Sequence, residues 1–383
     1  MPGLQIYDRR ERALVAAADV LLTPLRWARR RGPWPAPARI LLLRLERIGD
    51  LLMAREAIAD VQRAWPDAQI DLAVGSWNLP LARLIPGVHA IHIADVAWLA
   101  REQSGDRWRS LVAKARGWRR ERYDLVINFE PDVRSNAIAW LAGGRRRAGY
   151  WTGGGGALLT DALTYDPSRH VSDNARALVA HLSGRPMPSE PVAPLSPGVE
   201  ARDRATRSLS GAPRPLIGVH VAGGRPSKQW HLSRFADTAR EMSRRHGGTI
   251  VLTGAPQDKA MTAEVAAALG NVPHVDLTGA LPLDDLAGLL AQLDVLITGD
   301  TGPMHLASGV GTPVVALFGP ADPRRYGPRG SAHRIIRVDL PCSPCGQVRL
   351  PPERCRGRVP DCMDGIQVRL VADAASDLLA RSA

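Results

Sequence analysis

Short apolar runs alternate with longer amphipathic stretches along most of the chain. Mostly apolar runs such as 40–43 and 216–219 have the length of buried strands, and helical patterns such as 50–64 separate them. Strands joined in this way predict parallel sheets that helices cover on both faces. We predict strands at 40–43, 70–74, 90–93 and 125–127 in the first half, and at 216–219, 249–252, 295–297 and 314–317 in the second.

Prolines recur through residues 186–215 and divide the body of the chain into two halves of similar size. Such a stretch indicates an interdomain linker, here with a short helix inside it. At about 150 residues per domain, 383 residues correspond to roughly 2.5 domains. We therefore predict an N-terminal extension (1–38), a first domain (39–185), the linker and a second domain (216–383). Ligands of doubly wound sheets bind at the carboxyl ends of the strands, so the segments that follow the strands are the candidates for chemistry.

Composition excludes several classes of protein. Hydrophobic residues make up 45% and charged residues 23%, which is ordinary for a globular protein and excludes a disordered or collagen-like chain. No apolar run approaches the ~20 residues that span a bilayer, and four cysteines are too few for a disulfide-stapled mini-domain. The net charge is +12, and 47 of the 50 cations are arginine because only Lys114, Lys228 and Lys259 are lysines. This excess indicates either a GC-rich genome or an anionic partner, and charge alone does not distinguish them.

The extension at residues 1–38 is basic and has an apolar centre. Two arginine clusters flank residues 13–25: Arg9, Arg10 and Arg12 before them, and Arg26, Arg29, Arg30 and Arg31 after them. Asp19 and the lack of a cleavage motif argue against a signal peptide. Two interpretations remain. One is a basic amphipathic helix on an anionic membrane surface; the other is a helix that packs on the folded body through its apolar side chains, namely Leu14, Val20, Leu21 and Leu22. Further along, the run Gly153 to Gly156 predicts a mobile loop.

Asp50 opens the helix that follows the first predicted strand. A single glycine, Gly49, makes the turn, so the G-x-G-x-x-G fingerprint of dinucleotide-binding proteins is absent. Asp50 either caps the helix, where it satisfies backbone N–H groups, or acts as a general base at the floor of a cleft. The two roles compete, because a carboxylate that is stabilised as a cap is a weaker base.

A glycine-containing loop follows the first strand of the second half. Gly223 and Gly224 allow a ligand to approach the backbone closely, while Arg225 and Lys228 supply positive charge. A diphosphate is bound by this combination of backbone N–H donors and a point cation. The alternative is a solvated glycine turn.

The segment 298–307 runs from a predicted strand through Asp300 into a helix. Thr301 and Gly302 can present backbone N–H groups to phosphate oxygens at the positive end of that helix. We interpret Asp300 as a contact to ribose or another sugar, or as a brace for the loop. His305 lies one turn into the helix, either near the same ligand or as a satisfied core histidine.

The four cysteines are grouped between residues 342 and 362 with the spacing C-x2-C-x9-C-x6-C: Cys342, Cys345, Cys355 and Cys362. The first pair resembles half of a tetrahedral thiolate site for a structural metal such as zinc or iron, although the x9 gap is shorter than in common zinc ribbons. Reduced thiols and disulfides are the alternatives, and no export signal favours an oxidising compartment.

Taken in order, these segments resemble glycosyltransferase family 9, the ADP-heptose:lipopolysaccharide heptosyltransferases and their relatives. The matching segments, which fall within about residues 39–330, are 48–50, 228–230, 300–307 and 318–323. Relatives usually carry a proline a few residues after the Gly-Asp pair, where this chain has Arg55 and Glu56. That departure lies on the acceptor side of the implied site.

The resemblance implies a fold and an activity. The fold is α/β of the GT-B type, with two Rossmann-like doubly wound domains that face each other across a cleft, the first binding the acceptor and the second binding the nucleotide sugar. The activity is inverting transfer of heptose from ADP-heptose to a lipopolysaccharide-core acceptor, with no cofactor required for catalysis. By resemblance Asp50 is the general base, Lys228 the cation for the donor diphosphate, and Asp300 to Gly302 the donor-binding turn. The chemistry of the residues themselves adds Gly223, Gly224, Arg225 and His305 as candidates for donor binding.

Partners and location also follow from the resemblance. The expected partners are an ADP-heptose-like nucleotide sugar and a lipid-linked or lipopolysaccharide-core acceptor, in the cytoplasm or on the inner face of the cytoplasmic membrane, and no nucleic acid. The cysteine segment is similar to the four-cysteine iron-binding finger of relatives that heptosylate autotransporter adhesins. The alternatives are the same fold with a protein acceptor or another nucleotide sugar, and a basic membrane-associated binding module without catalysis.

Overall fold

A computed structural model describes residues 4–5, 9–26, 34–97, 106–330, 332–348 and 351–382. The chain divides into two compact units, residues 1–193 and 194–383. Among the described residues, each unit contains one parallel six-stranded sheet. The predicted cluster Arg29 to Arg31 lies outside the described residues.

The elements of the first unit follow the predicted alternation. Its described strands are β1 (Arg39–Leu43), β2 (Gln69–Val74), β3 (Ala90–Ile93), β4 (Leu125–Asn128), β5 (Arg146–Tyr150) and β6 (Asp161–Leu163). Its described helices are α1 (Arg9–Leu22), α2 (Ile48–Ala64), α3 (Leu79–Ala82), α4 (Trp108–Gly117), α5 (Val133–Ala142) and α6 (Val171–Ser183).

The second unit repeats the plan. Its described strands are β7 (Leu216–His220), β8 (Thr249–Thr253), β9 (His274–Asp276), β10 (Val295–Gly299), β11 (Val314–Leu317) and β12 (His333–Ile336). Its described helices are α7 (Val199–Ser208), α8 (Leu232–His246), α9 (Lys259–Leu269), α10 (Leu283–Leu290), α11 (Gly302–Val310), α12 (Pro323–Tyr326), α13 (Asp361–Asp364) and α14 (Val368–Ser382).

Both sheets have the strand order of a doubly wound fold, which confirms the predicted fold class. The orders are β3-β2-β1-β4-β5-β6 and β12-β11-β10-β7-β8-β9, with every pair parallel. The chain therefore reverses its direction of winding between β1 and β4 in one sheet and between β7 and β10 in the other. These switch points leave a crevice at the carboxyl ends of the strands, where ligands of such sheets bind.

Burial of apolar side chains explains the strands that the sequence predicts. The side chains of β1 from Ile40 to Leu43 are fully buried, as are those of β10 from Val295 to Ile297. Burying one such side chain stabilises a fold by roughly 1.5–3 kcal/mol. The strands β5, β6, β9 and β12 were missed, because segments such as Arg146–Tyr150 and His274–Asp276 contain few apolar residues and are partly exposed.

The proline-rich stretch is anchored on both units. The Arg55 Nη2 of α2 donates to the carbonyl of Ala193 at 2.9 Å, within the first unit. In the second unit, the amide of Leu195 donates to the carbonyl of Gly309 at 2.8 Å. Helix α7 packs on α10 so closely that a Cβ on Gly288 would lie 2.6 Å from the carbonyl of Ala201. The stretch therefore contains the short helix that was predicted within it.

Helix α1 packs on the first unit with a different face from the one the sequence indicated. Of the four apolar side chains named for packing, Leu14, Val20 and Leu21 are exposed and Leu22 is partly buried, whereas Val15 is buried. Val15 lies against the glycine run from Gly153 to Gly156, which is buried and not exposed as the predicted mobile loop would be. None of the described helices is both long and apolar enough to cross a bilayer.

Candidate functional site

The switch point of the first sheet carries a buried arginine surrounded by acidic groups. Arg44 directly follows β1, and its side chain is almost fully buried. Its Nη1 lies 2.8 Å from Glu46 Oε2 and donates to the carbonyl of Phe129 at 2.7 Å. Its Nε donates to the carbonyl of Asp50 at 3.0 Å, and its Nη2 lies 3.5 Å from Asp50 Oδ1. Burial opposes the charge on Arg44, but the carboxylates of Glu46, Asp50 and Glu130 raise the pKa of Arg44 above its ordinary value.

Asp50 lies at the start of α2 with its side chain 26% exposed. Its Oδ2 accepts a hydrogen bond from the amide of Arg47 at 3.2 Å, which satisfies one backbone donor at the helix N-terminus. Its Oδ1 is turned towards Arg44, and part of the carboxylate remains open to solvent. Capping and access to a substrate are therefore compatible in this geometry, although the sequence posed them as alternatives.

Glu130 is an acidic residue of this edge that the sequence interpretation missed. It follows β4, and only 3% of the residue is exposed. Its backbone is fixed by Asn128, which donates to the Glu130 carbonyl at 2.9 Å and accepts from the Glu130 amide at 3.1 Å. Its Oε2 is buried and has no hydrogen-bond partner. Burial, together with the charges of Glu46 and Asp132, raises the pKa of Glu130 well above its ordinary value. Its place directly after a buried strand was the signal that could have identified it.

The segment that departs from the family pattern lies on the adjacent turn of α2. Burial lowers the pKa of Arg55. Glu56 lies 3.8 Å from Arg176 of α6, at the limit of an ion pair. Both residues therefore contact parts of the first unit, and Arg55 holds the end of that unit through Ala193.

The loop after β7 is folded tightly against itself. A Cβ on Gly223 would lie 2.8 Å from the Lys228 carbonyl and from the Gln229 amide, so only glycine fits there. The Gly223 amide donates to Gln229 Oε1 at 2.8 Å, and Gln229 Nε2 donates to the carbonyl of Val221 at 2.7 Å. The next residue, Trp230, is buried and anchors the loop in the core. This loop is therefore a folded structure and not a solvated glycine turn.

Lys228 and Asp300 bring the two loops of the second switch point together. Lys228 Nζ lies 3.0 Å from Asp300 Oδ2 and also donates to the carbonyl of Asp300. The two side chains are largely buried, with exposures of 17% and 12%. Asp300 thus braces the loop, as one of its two interpretations stated. An ammonium group has three N–H donors, so two point to Asp300 and one remains for another acceptor.

The start of α11 completes this edge. Thr301 is the N-cap residue, and its side chain makes no capping hydrogen bond to the helix. Its Oγ1 instead donates to the carbonyl of Gly299 at 3.3 Å. The amide of Gly302 therefore lies at a helix N-terminus that the Thr301 side chain does not cap, and such an end favours anions. Pro303, the next residue, has no N–H and contributes no donor. His305 is buried within α11, while Arg225 is partly exposed on the other loop.

His220 is a further titratable group at this edge that the sequence interpretation left without a role. It ends β7 and is almost fully buried, with Nδ1 3.2 Å from Thr253 Oγ1. Burial lowers the pKa of His220 to about 4, although Asp258 opposes the shift. The imidazole is therefore neutral at physiological pH.

The cysteine segment, residues 342–362, packs on the loops at the carboxyl ends of the strands of the second sheet. Ser227 Oγ donates to the carbonyl of Val348 at 3.1 Å. Ser343 Oγ donates to the carbonyl of Gly319 at 2.7 Å, and the amide of Gly346 donates to the carbonyl of Pro320 at 2.8 Å. The segment thus braces both the loop that carries Lys228 and the loop that follows β11.

The four cysteines are free thiols that line one small cavity, with a volume of about 20 Å³, roughly that of one water molecule or ion. Cys342 and Cys345 are exposed, and Cys355 is partly exposed. Cys362 is buried; burial and the neighbouring cysteines raise the pKa of its thiol to about 11. Across the part of the chain that the structure describes, no three His, Cys, Asp or Glu side chains are grouped closely enough to hold a metal ion.

Comparison with known proteins points to one family. Residues 111–352 match the model of glycosyltransferase family 9 (heptosyltransferase). Lipopolysaccharide heptosyltransferase 2 of Escherichia coli K12 is 27% identical over 313 residues, which cover 78% of this chain and 88% of that protein.

Solved structures are similar over most of the chain. The structure of E. coli ADP-heptose lps heptosyltransferase II has a TM-score of 0.74 at 22% identity, and the match covers 90% of this chain and 99% of that one. The iron-containing dodecameric glycosyltransferase TibC from enterotoxigenic E. coli has a TM-score of 0.52 at 14% identity, with coverages of 92% and 78%. These similarities show a GT-B type fold.

Proposed function

The chain belongs to glycosyltransferase family 9, the heptosyltransferase family, and from that premise we propose that it transfers heptose from ADP-heptose to a lipopolysaccharide-core acceptor. The proposed reaction inverts the anomeric centre and needs no metal ion. The observation that carries the proposal is a division of charge between two switch points. One presents the carboxylate of Asp50, and the other presents Lys228 beside the N-terminus of α11.

Asp50 is the proposed general base. It accepts the proton of the acceptor hydroxyl while that oxygen forms a bond to the anomeric carbon of the donor. The bond from that carbon to the diphosphate oxygen breaks at the same time, and ADP leaves with the electron pair. A positioned base contributes roughly 10²–10⁴ to a rate. Arg44 supports this role because it fixes both the backbone and the carboxylate of Asp50.

Lys228 and the start of α11 are proposed to hold the donor diphosphate. One N–H of Lys228 is left after its two contacts with Asp300, and the backbone amides of Thr301 and Gly302 supply further donors. Negative charge develops on the leaving diphosphate in the transition state, so fixed donors at this position stabilise it. Asp300 keeps the ammonium group in place before the donor arrives, and Gly223, Gly224, Arg225, Thr301 and His305 are the proposed surroundings of the donor.

The acceptor is proposed to be lipid-linked and to lie on the inner face of the cytoplasmic membrane, with the enzyme in the cytoplasm. The named E. coli relative is a lipopolysaccharide heptosyltransferase, which supports a core acceptor. Unlike relatives with a proline at this point, the chain has Arg55 and Glu56 on the turn of α2 that follows Asp50. These two residues are the proposed source of any difference in acceptor choice.

We also propose that the four cysteines hold one structural zinc or iron ion. The donor set fits, because four thiolates are the usual ligands of tetrahedral zinc and iron sites, and all four line one cavity. Binding would draw the sulfurs together and would stiffen the segment that braces the Lys228 loop. Elemental analysis of protein purified without a His tag should give one equivalent per chain, and the variant Cys342→Ser with Cys345→Ser should give none. Metal-free, fully active wild-type protein would contradict this assignment.

The transfer reaction can be tested with purified full-length protein, a panel of nucleotide sugars and a lipopolysaccharide-core acceptor, without added divalent ions. We expect ADP release and a heptosylated product with ADP-heptose alone. Turnover of a UDP- or GDP-sugar in its place would correct the donor. Transfer to a protein hydroxyl but not to the core would correct the acceptor. If no nucleotide sugar is consumed or raises the melting temperature, the proposed function is wrong.

A further inference from the structure

The outward face of α1 carries three strongly exposed apolar side chains. Leu21, Leu14 and Val20 are 81%, 73% and 71% exposed, more than any other large apolar side chain among the described residues. At 100° per residue, Leu14, Val20 and Leu21 fall within an arc of about 120°, which also contains Ala13 and Ala17. A contiguous apolar face of this kind marks an interaction surface.

The opposite face of α1 fixes the helix to the first unit. Val15 packs so closely on Gly154 that a Cβ there would lie 2.2 Å from the Val15 side chain. Asp19 Oδ1 accepts a hydrogen bond from the amide of Gly155 at 2.6 Å. Glu11 lies 3.7 Å from Arg134 of α5. The helix is therefore attached through Val15, Asp19 and Glu11, whereas Leu14, Val20 and Leu21 are turned away from the protein.

This attachment places α1 at the edge of the sheet that carries Asp50. The turn Trp151–Gly153 directly follows β5, and α5 begins after β4, so the parts that α1 contacts lie at the carboxyl ends of these strands. Asp50 follows β1, which pairs with β4, and β4 pairs with β5. Since neighbouring strands are about 4.8 Å apart, β1 and β5 are separated by roughly 10 Å.

Positive charge accompanies the apolar face. Arg9, Arg10 and Arg12 in the first turn of α1 are exposed. Apolar side chains beside exposed arginines are complementary to a lipid surface that carries negative headgroups, because the helix can bury its apolar face while the arginines stay at headgroup level. A protein partner would have to match both an apolar strip and an arginine cluster on one exposed helix.

We propose that α1 docks the first unit onto an anionic lipid surface, with Leu14, Val20 and Leu21 inserted among the lipids. The edge that carries Asp50 then faces the bilayer, where a lipid-linked acceptor is available. The docking itself does not depend on the proposed reaction, but its purpose rests on the proposed function. It also reconciles the two interpretations of the extension, since α1 packs on the body with one face and binds lipid with the other.

Co-sedimentation of the full-length protein with vesicles tests the proposal. Wild type should bind vesicles of phosphatidylcholine with phosphatidylglycerol, should bind phosphatidylcholine alone weakly, and should be released by salt. The affinity of the triple variant Leu14→Gln, Val20→Gln, Leu21→Gln for the anionic vesicles should be lower than that of wild type by roughly tenfold or more. The matched control Val199→Gln, Leu370→Gln replaces exposed apolar side chains of the second unit and should bind like wild type. Unchanged melting temperatures will show that both variants are folded.

Two kinds of result would overturn the docking surface. The first is that the triple variant binds anionic vesicles as well as wild type does, or that neither protein binds them. The other is a wild-type oligomer that the triple variant loses, since the face would then be a protein interface. A catalytic readout separates this proposal from the proposed function. Transfer to a soluble, delipidated acceptor should be unchanged in the triple variant, whereas transfer to a vesicle-embedded acceptor should fall. Vesicle binding without any transfer would refute the reaction and leave the docking intact.

Discussion

The two sheets have the same strand order, yet their switch points present opposite chemistry. The edge of the first sheet gathers Glu46, Asp50 and Glu130 around the buried guanidinium of Arg44. The edge of the second sheet has a tight glycine loop, Lys228 and an N-terminus of α11 that its Thr301 side chain does not cap. The fold thus brings charged residues together at the carboxyl ends of the strands, and the few residues after each strand determine which charges each edge presents.

Each edge also buries one titratable group whose pKa is shifted against the charged form. In the first unit, burial and neighbouring carboxylates raise the pKa of Glu130. In the second, burial lowers the pKa of His220 to about 4. Both pKa shifts reflect the cost of burying a charge, so we expect substitutions of Glu130 and His220 to change the free energy of unfolding. Asp50 and Lys228 are more accessible, so we expect their substitutions to change turnover.

The largest expected effect is on the first edge. Asp50→Asn removes the proposed base while it keeps the size of the side chain, so kcat should fall by roughly 10²–10⁴ with little change in donor affinity. Initial rates of ADP release and titration of the donor measure the two quantities. Asp67→Asn, on an exposed turn of the same unit, is the control and should have wild-type activity. Normal turnover by Asp50→Asn would show that this edge does not supply the base.

The second edge should respond differently. Lys228→Met removes a donor to the leaving diphosphate, so kcat/KM should fall by roughly 10²–10³ and binding of ADP should weaken. Calorimetric titration with ADP separates this result from that of Asp50→Asn, for which ADP binding should be unchanged. Lys259→Met alters an exposed lysine at the start of α9 and serves as the control. Equal ADP affinity in Lys228→Met and wild type would place the diphosphate elsewhere.

His220 should give the second unit a stability that depends on pH. Its pKa is about 4 in the folded protein and about 6.5 when unfolded. Between these two pH values the unfolded chain therefore binds more protons than the folded protein. The contribution of neutral His220 to the free energy of unfolding should be fully present above pH 6.5 and should fall by up to roughly 3 kcal/mol as the pH approaches 4. Chemical unfolding across this range should show a shallower decline for His220→Gln. Parallel curves for the two proteins would mean that His220 does not resist protonation.

The smallest effect is expected from Glu130→Gln. A raised pKa means that the folded protein keeps the proton while the unfolded chain loses it, so Glu130 lowers stability as pH rises above about 4.3. An amide resembles the protonated carboxyl group in shape and carries no charge. At pH 7 the free energy of unfolding of the variant should therefore equal that of wild type or exceed it by up to roughly 1 kcal/mol. The melting temperature should be equal or slightly higher. Glu190→Gln, at an exposed position, is the control. A clear loss of stability in Glu130→Gln alone would show that Glu130 is ionised and paired.

The sequence predicted the buried strands and the positions of Asp50, Lys228 and Asp300 after them. Those predictions succeeded because runs such as 40–43 and 295–297 are apolar throughout, and burial in a core stabilises such runs. The outer strands β9 and β12 and the polar strand β5 were missed. Segments such as His274–Asp276 pair through their backbones, and backbone pairing leaves little signal in side-chain polarity.

The charged contacts were not predictable in the same way. The pairing of Lys228 with Asp300 joins residues 72 positions apart in the chain. The outward direction of Leu14, Val20 and Leu21 depends on the packing of Val15 against Gly154. Apolar periodicity identified the helix but could not decide which of its sides faces the protein.

The sequence by itself determined which segments form the two sheets, because hydrophobic periodicity is a local property that each segment carries alone. It also determined that reactive residue types follow the strands. Only the tertiary structure decided which of those residues form ion pairs, as Arg44 does with Asp50 and Glu46, and which are buried with a pKa shifted against the charged form, as Glu130 and His220 are. Coulomb energy and desolvation depend on distance and burial in three dimensions, and the order of residues along the chain specifies neither.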